Sequence, residues 1–322
     1  MSRFHARNPA TIDGSWRKRW IGAGWQMIQP IRPSPRRTMR SAHAKLFGTG
    51  DLTRSMRCSV IVAHPGDEIV GAGCLISKLV DVTVLHVTDG APDMRDPQAA
   101  GFRERTDFAE ARRQECIAAL ALANVPEERV MDFGISDRSA SYCLARLSRR
   151  VTTFLQESAA DIVLTHPYEG GHPDHDATAF ATHAALRLLK ENGLRPPVLF
   201  EMALRPDKDF RARRQEFLTG CERETTTLLL DKRAKELKQR MFAFLKTQRE
   251  SLEVSSVGPE RFCQHAKYDF SVPPKRGKLF YENFDWALRS EEWVSLAAQA
   301  TAILFPATPV IPDVGFLQTD LA

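Results

Sequence analysis

The chain of 322 residues has no apolar run approaching the ~18 residues that a membrane-spanning helix needs, which removes an integral helical membrane role. Its six cysteines, Cys58, Cys74, Cys116, Cys143, Cys221 and Cys263, include no Cys-x-x-Cys pair. That absence excludes a thiolate zinc knuckle and a dithiol redox motif, and the scattered spacing reads as reduced, mostly buried thiols of a cytoplasmic protein. No internal repeat is present, so a solenoid is excluded. Gly71 and Gly73 follow an apolar run, but the third glycine of a dinucleotide fingerprint is missing because position 76 is Ile. Helix packing explains the two glycines better than a nucleotide phosphate does.

Charge is divided unevenly. Residues 1–57 hold twelve Lys or Arg against two Asp, whereas the remainder holds 33 basic and 38 acidic residues. The basic leader carries Trp16, Trp20 and Trp25, Pro30, Pro33 and Pro35, and Arg36-Arg37, without the continuous apolar stretch of a secretion signal. It is expected to be a disordered arm, and Met39 or Met56 could equally begin a chain that keeps the motifs described below. A nucleic-acid or anionic-membrane partner for this arm has little support, because basic leaders are commonly solvated tails.

The length allows a sizeable core, and one main domain with terminal additions is expected. Short β-branched runs predict strands near 59–63, 81–87, 128–133, 160–165 and 197–203; helical spacing predicts helices near 71–79, 104–123, 139–157, 175–190, 231–249 and 288–303. This alternation predicts an α/β fold with a Rossmann-like, mostly parallel sheet and helices on both faces. The expected organisation is a leader over 1–56, a metal-site core over 57–205, and C-terminal helices with covering loops of the same domain over 206–322. Lys232 to Gln248 reads as a half-buried surface helix. Arg261 to Phe270, followed by Pro273-Pro274 and Tyr281-Glu282, has aromatics, prolines and charges without helical period and reads as a covering loop that contributes to the substrate pocket.

What is present, twice, is a histidine-rich motif at the end of a predicted strand. His64-Pro65-Gly66-Asp67-Glu68 follows Ser59 to Ala63, and His172-Pro173-Asp174-His175 follows Ala160 to Thr165. In open α/β sheets the loops beyond the carboxyl ends of the strands converge on a crevice, so the two motifs could meet there. Catalytic zinc takes three nitrogen or oxygen ligands and leaves a position for water, and His64, Asp67 and His175 could be those three. A His₂Asp set also accepts iron, cobalt or nickel. His166-Pro167 reads as a turn, and His86 and His183 as structural histidines. Glu68, at a helix start, reads as a cap or as support for the ligands.

These residues resemble the PIG-L or LmbE-like zinc-dependent de-N-acetylases, whose signatures are Ala-His-Pro-Asp-Asp-Glu and His-Pro-Asp-His. Thr88-Asp89-Gly90-Ala91-Pro92 and Arg112-Arg113-Gln114-Glu115 resemble further family segments, and Tyr168 to Asp176 is similar to a bacterial branch. The likeness extends from about Arg57 to Trp286. It implies that His64, Asp67 and His175 bind zinc, that His172 stabilises an oxyanion or protonates the leaving amine, that Asp174 orients a histidine, and that Arg112 reaches the substrate. The implied imidazolium form of His172 would be favoured by the neighbouring Asp174.

Gly66 departs from that pattern, because the family has its general-base aspartate at this position. Loss of a positioned base costs about 10²–10⁴-fold. Glu169 on the adjoining loop is the first substitute to consider, with Asp89 or Asp93 behind it, although Glu169 reads better as a solvated turn residue or a substrate hydroxyl contact. The expected activity is hydrolysis of a linear amide C–N bond, removing acetyl from an amino-sugar conjugate or a similar small metabolite. A thiol conjugate as substrate would use the same chemistry. The alternative is a weak or silent relative that binds a sugar or a partner.

Overall fold

The computed structural model describes residues 42–48, 56–95, 99, 101–206, 213–217, 225–253, 257–264, 267–284, 286 and 288–306. Most of the expected leader, with its tryptophans and Arg36-Arg37, lies outside the described residues, as does Cys221. Residues 42–47 form a short helix, α1, whose Ala42 and Leu46 are buried in the core.

In chain order the elements that follow are β1 (Arg57–Val62), α2 (Asp67–Ile76), β2 (Asp81–Thr88), α3 (Arg105–Ala121), β3 (Val130–Ile135), α4 (Leu144–Ser158), β4 (Ile162–Thr165), α5 (Pro173–Glu191) and β5 (Val198–Met202). Next come the two-residue strands β6 (Arg205–Pro206) and β7 (Arg213–Arg214), then β8 (Thr225–Leu228), α6 (Lys232–Phe244), α7 (Arg249–Glu253), β9 (Glu260–Gln264) and α8 (Ser290–Leu304). The main sheet has seven strands in the order β3-β2-β1-β4-β5-β9-β8. The first five run parallel, and β9 and β8 add antiparallel at the β5 edge. The fold is therefore α/β with a mostly parallel sheet.

Both faces of the parallel strands are apolar because helices cover both. Val60, Val62, Leu164 and Phe200 point to the face packed by α1, α2, α3 and α6; Ile61, Leu85, Val163 and Leu199 point to the face packed by α4, α5 and α8. Each fully buried Leu, Ile or Val contributes about 1.5–3 kcal/mol. The chain order reverses between β1 and β4, and at such a switch point the loops following the two strands diverge to opposite faces and leave a crevice. Both histidine motifs follow these two strands.

Two expectations about the C-terminal third are corrected. The segment expected as a covering loop contains strand β9, and β8 lies beside it, so the sheet draws two strands from beyond residue 205. The inward Glu260 concealed this strand in the sequence: it is wholly buried, accepts from the backbone N–H of Cys74 and Leu75 at 2.8 and 2.9 Å, and meets Lys238 Nζ at 2.7 Å. The helix expected over 231–249 ends at Phe244, gives a 3-10 turn at Lys246–Gln248, and resumes as α7. Lys238, within the helix read as half-buried, is wholly buried.

The cysteines follow the reading of reduced thiols among the described residues. Cys58, Cys74, Cys116 and Cys263 are buried and form no disulfide among the described residues, Cys143 is partly buried, and burial pushes the Cys58 thiol up to about 12. The Lys238–Glu260 pair has no solvent exposure on either side chain. Removing one partner of such a pair leaves an uncompensated buried charge. Lys238→Met is therefore expected to lower unfolding stability by about 3–5 kcal/mol, read from the urea midpoint at constant m-value.

Candidate metal centre

The first loop is shaped by Gly66, which caps α2 at φ +104°, a left-handed conformation costly for residues with a Cβ. That turn lets Asp67 open the helix, where a carboxylate is favoured by the helix dipole. Asp67 Oδ2 accepts from the His64 backbone N–H at 2.9 Å and lies 3.1 Å from His64 Nδ1. The second loop is closed by Asp176, whose Oδ1 accepts from the backbone N–H of Glu169 and Gly170 at 3.1 and 3.0 Å. His172 caps α5, its Nδ1 accepting from the Asp174 N–H at 3.1 Å, and Pro173 occupies the first turn.

The loops meet at Asp67. His175 Nε2 lies 3.3 Å and His166 Nε2 3.4 Å from the same Oδ2, and the His166 and His175 rings stack with centroids 3.8 Å apart. His172 presents its ring edge-on to His64 at 4.7 Å. Asp137 and Asp174 approach His64 Nε2 at 3.0 and 3.4 Å. Thus His64, Asp67 and His175 are brought together, with His172 and Asp174 beside them.

The donor chemistry fits a divalent cation. In a tetrahedral zinc site with bonds of about 2.0–2.1 Å, neighbouring ligand atoms stand about 3.3–3.4 Å apart. The 3.3 Å separation of Asp67 Oδ2 from His175 Nε2 is of that size and the 3.1 Å separation from His64 Nδ1 is shorter, but the three residues His64, Asp67 and His175 do not together form one of the closely spaced donor groups among the described residues. His175 belongs to two groups of closely spaced donors, one with His64 and His172 and one with Asp67 and His166.

Charge is unbalanced around these rings. Burial lowers the His64 pKa, but Asp67, Asp137 and Asp174 overcome it and raise it well above the ordinary value. Burial would raise Asp137, yet His64, His172 and Arg138 hold it below the usual carboxylate range. Burial, with Asp137 nearby, raises Asp174 against its contact with His64. His175 falls to about 3 through burial and the adjacent His166. Burial, then His64 and His175, push His172 well below its ordinary value. The Asp174 carboxylate turns to the backbone N–H of Arg138 at 2.6 Å and of Ala140 at 3.1 Å, with His64 as its histidine.

Arg112, which the likeness assigns to the substrate, bonds the ligand loop and Gln248. It is buried, with Nε donating to the Pro65 carbonyl at 3.1 Å, Nη1 to the Gly90 carbonyl, and Nη2 to Gln248 Oε1 at 3.1 Å. Glu169 is buried and lines a small crevice with His175 and Asp176. Asp89 is paired with Arg105 and accepts from the Asp137 N–H at 3.2 Å, while Asp93 pairs with Arg95 near the surface.

Asp137, His166 and Gln248 are the residues that sequence reasoning missed. His166 was expected to be part of a turn, yet it is fully buried at the end of β4 and accepts from the Ala63 N–H at 3.0 Å. Asp137 follows β3 at the same sheet edge, a position that could have marked it. Gln248 carried no signal. Trp286 stands 5.0 Å from both the His172 ring and the Arg138 guanidinium.

With this geometry in place, the family model described as PIG-L, GlcNAc-PI de-N-acetylase, matches residues 59–186. No curated protein matches the chain. The solved structure of the A40926 pseudoaglycone deacetylase Dbv21 is 21% identical, with 66% of this chain and 98% of that one covered and a TM-score of 0.51. A deacetylase–teicoplanin complex from the teicoplanin biosynthesis pathway is 16% identical, with 66% and 99% covered and a TM-score of 0.50. Both show the same fold.

Asp174 ties the 138–140 turn to the histidines through two backbone acceptor contacts. Asp174→Ala leaves those N–H groups without it, at about 1–3 kcal/mol each. A fall in the melting temperature of the chelated protein by about 4 °C or more is the expected result; an unchanged value would show that the carboxylate does not bridge the loops.

Proposed function

Because residues 59–186 match the PIG-L family model, we propose that the protein is a metal-dependent hydrolase removing an acetyl group from the amide nitrogen of an amino-sugar conjugate or similar small metabolite. The observation that carries this reading is the convergence of His64 Nδ1 and His175 Nε2 on Asp67 Oδ2 at the sheet's switch point. The family's de-N-acetylase description supports the class of bond. The buried free thiols fit a cytoplasmic setting, and no described helix is long and apolar enough to cross a membrane.

His64, Asp67 and His175 would hold zinc, or another first-row divalent cation, which when bound supplies Lewis-acid polarisation of an amide carbonyl and acidification of water. His172 contributes through its tautomer: Nδ1 accepts the Asp174 N–H, so the neutral ring carries its proton on Nε2. From there it donates to the carbonyl oxygen as negative charge develops, an interaction worth most in the transition state. Asp174 fixes His64 and the 138–140 turn, and Arg112 holds the Pro65 and Gly90 carbonyls in register. Glu169 takes the water proton that a carboxylate at position 66 would otherwise receive, from its place beside His175, and passes it to the amide nitrogen as the C–N bond breaks, releasing the amine and acetate.

Gly66 favours a second reading, a weak or silent relative that binds a sugar or partner. Acetate release from a panel of N-acetylglucosaminyl compounds separates the two. Turnover is expected with zinc, is lost on chelation, and falls about 10²–10⁴-fold in Glu169→Gln. Stoichiometric zinc without acetate release from any compound would support the binding reading instead.

A further inference from the structure

The space that a side chain at position 66 would need is filled from elsewhere in the chain. A Cβ added to Gly66 would come within 2.6 Å of Gln248 Nε2 and 3.0 Å of its Oε1, closer than atoms pack. Gln248 is 4% exposed and ends the 3-10 turn between α6 and α7. Its amide is engaged at both ends: Nε2 donates to the Pro65 carbonyl at 3.0 Å, and Oε1 accepts from Arg112 Nη2 at 3.1 Å.

The turn that delivers Gln248 is itself held. Glu115 on α3 accepts from the Thr247 N–H and hydroxyl at 2.9 and 2.8 Å. Arg112 and Glu115 lie one helical turn apart, so the Arg-x-x-Glu segment grips both the amide and the turn that carries it. On the opposite side, the Gly66 N–H donates to Glu68 Oε2 at 3.1 Å, and the same carboxylate receives the Cys116 thiol at 2.7 Å and touches His86 at 3.3 Å. The His64–Asp67 loop is thus fixed from both sides by buried groups.

We propose that Gln248 is the positioning residue of the ligand loop, its amide occupying the volume of the missing residue-66 side chain and locking Pro65 between His64 and Gly66. Under this arrangement, Gly66→Asp does not by itself give a usable carboxylate: the new side chain meets Gln248 and also strains the backbone at φ +104°. Residues 66 and 248 share volume, so a carboxylate at position 66 requires the Gln248 amide to leave its two hydrogen bonds or be truncated. The amide itself cannot take a proton from water at neutral pH, so Gln248 acts on ligand geometry alone.

The inference rests in part on the metal-site reading, and two measurements on the full-length chain keep them separable. The first is thermal unfolding of the chelated wild type, Gly66→Asp, Gln248→Ala and the double variant. Gly66→Asp is expected to melt well below wild type, and adding Gln248→Ala should raise it by about 3 °C or more. If Gly66→Asp does not fold, recovery of soluble protein in the double variant reads the same coupling. Additive losses overturn the shared volume.

The second measurement is zinc affinity by competition with a chromophoric chelator, without reference to turnover. Gln248→Ala is expected to weaken zinc binding by about tenfold or more, as loss of groups supporting metal ligands does. An affinity within about twofold of wild type would make Gln248 a packing residue only and overturn its positioning role. A wild type that takes up no zinc would refute the metal-dependent reading, while the unfolding cycle would still decide whether residues 66 and 248 share one volume.

Discussion

One carboxylate oxygen, Asp67 Oδ2, is where the two halves of the site are joined. It takes the His64 backbone N–H, and three imidazole nitrogens from the β1 and β4 loops surround it at 3.1 to 3.4 Å. A wholly buried carboxylate is costly unless charge and hydrogen bonds compensate it, so its surroundings are constrained at every contact. Much of the nearby architecture serves this constraint. Gly66 turns the chain so that Asp67 can open α2, Ala63 gives its N–H to His166, and the stacked His166 ring fixes the plane of His175.

Beyond the first contacts, further acids, three of them buried and Glu115 partly buried, hold the loops. Asp174 spans to the 138–140 turn, Asp176 closes the 169–170 turn, Glu68 holds the Gly66 N–H, and Glu115 anchors the turn bearing Gln248. Each accepts from backbone N–H groups, so each fixes main chain and, through it, the direction of a neighbouring side chain. Ligand positions follow from loop backbones, and the loop backbones follow from these carboxylates. The arrangement explains why acidic residues at this sheet edge are so deeply buried in a protein that is otherwise ordinary in composition.

The absence of a side chain at position 66 has a structural counterpart. An amide fills the space, and Arg112, which the family likeness assigns to substrate, satisfies that amide together with two loop carbonyls. Chemistry that relies on a base must then draw on another carboxylate. Glu169 lies in the crevice beside His175, whereas Asp137 is held between His64 and Arg138. The difference between the two is one of engagement as much as distance.

The sequence by itself determined the parallel strands, most helices and the two histidine motifs, because local periodicity and the residue types beyond strand ends are properties of short segments. His64, Asp67, His172, Asp174 and His175 were legible for that reason. Tertiary structure alone decided the rest. Strand β9 was hidden because its inward Glu260 is compensated by Lys238, a partner 22 residues away on another element. His166 looked like a turn residue until β4 was set beside β1. Gln248 lies 183 residues from Pro65, and nothing local marks it as the group that fills the space beside Gly66. Burial and charge compensation are sums over neighbours from the whole chain, and only the folded arrangement supplies those neighbours.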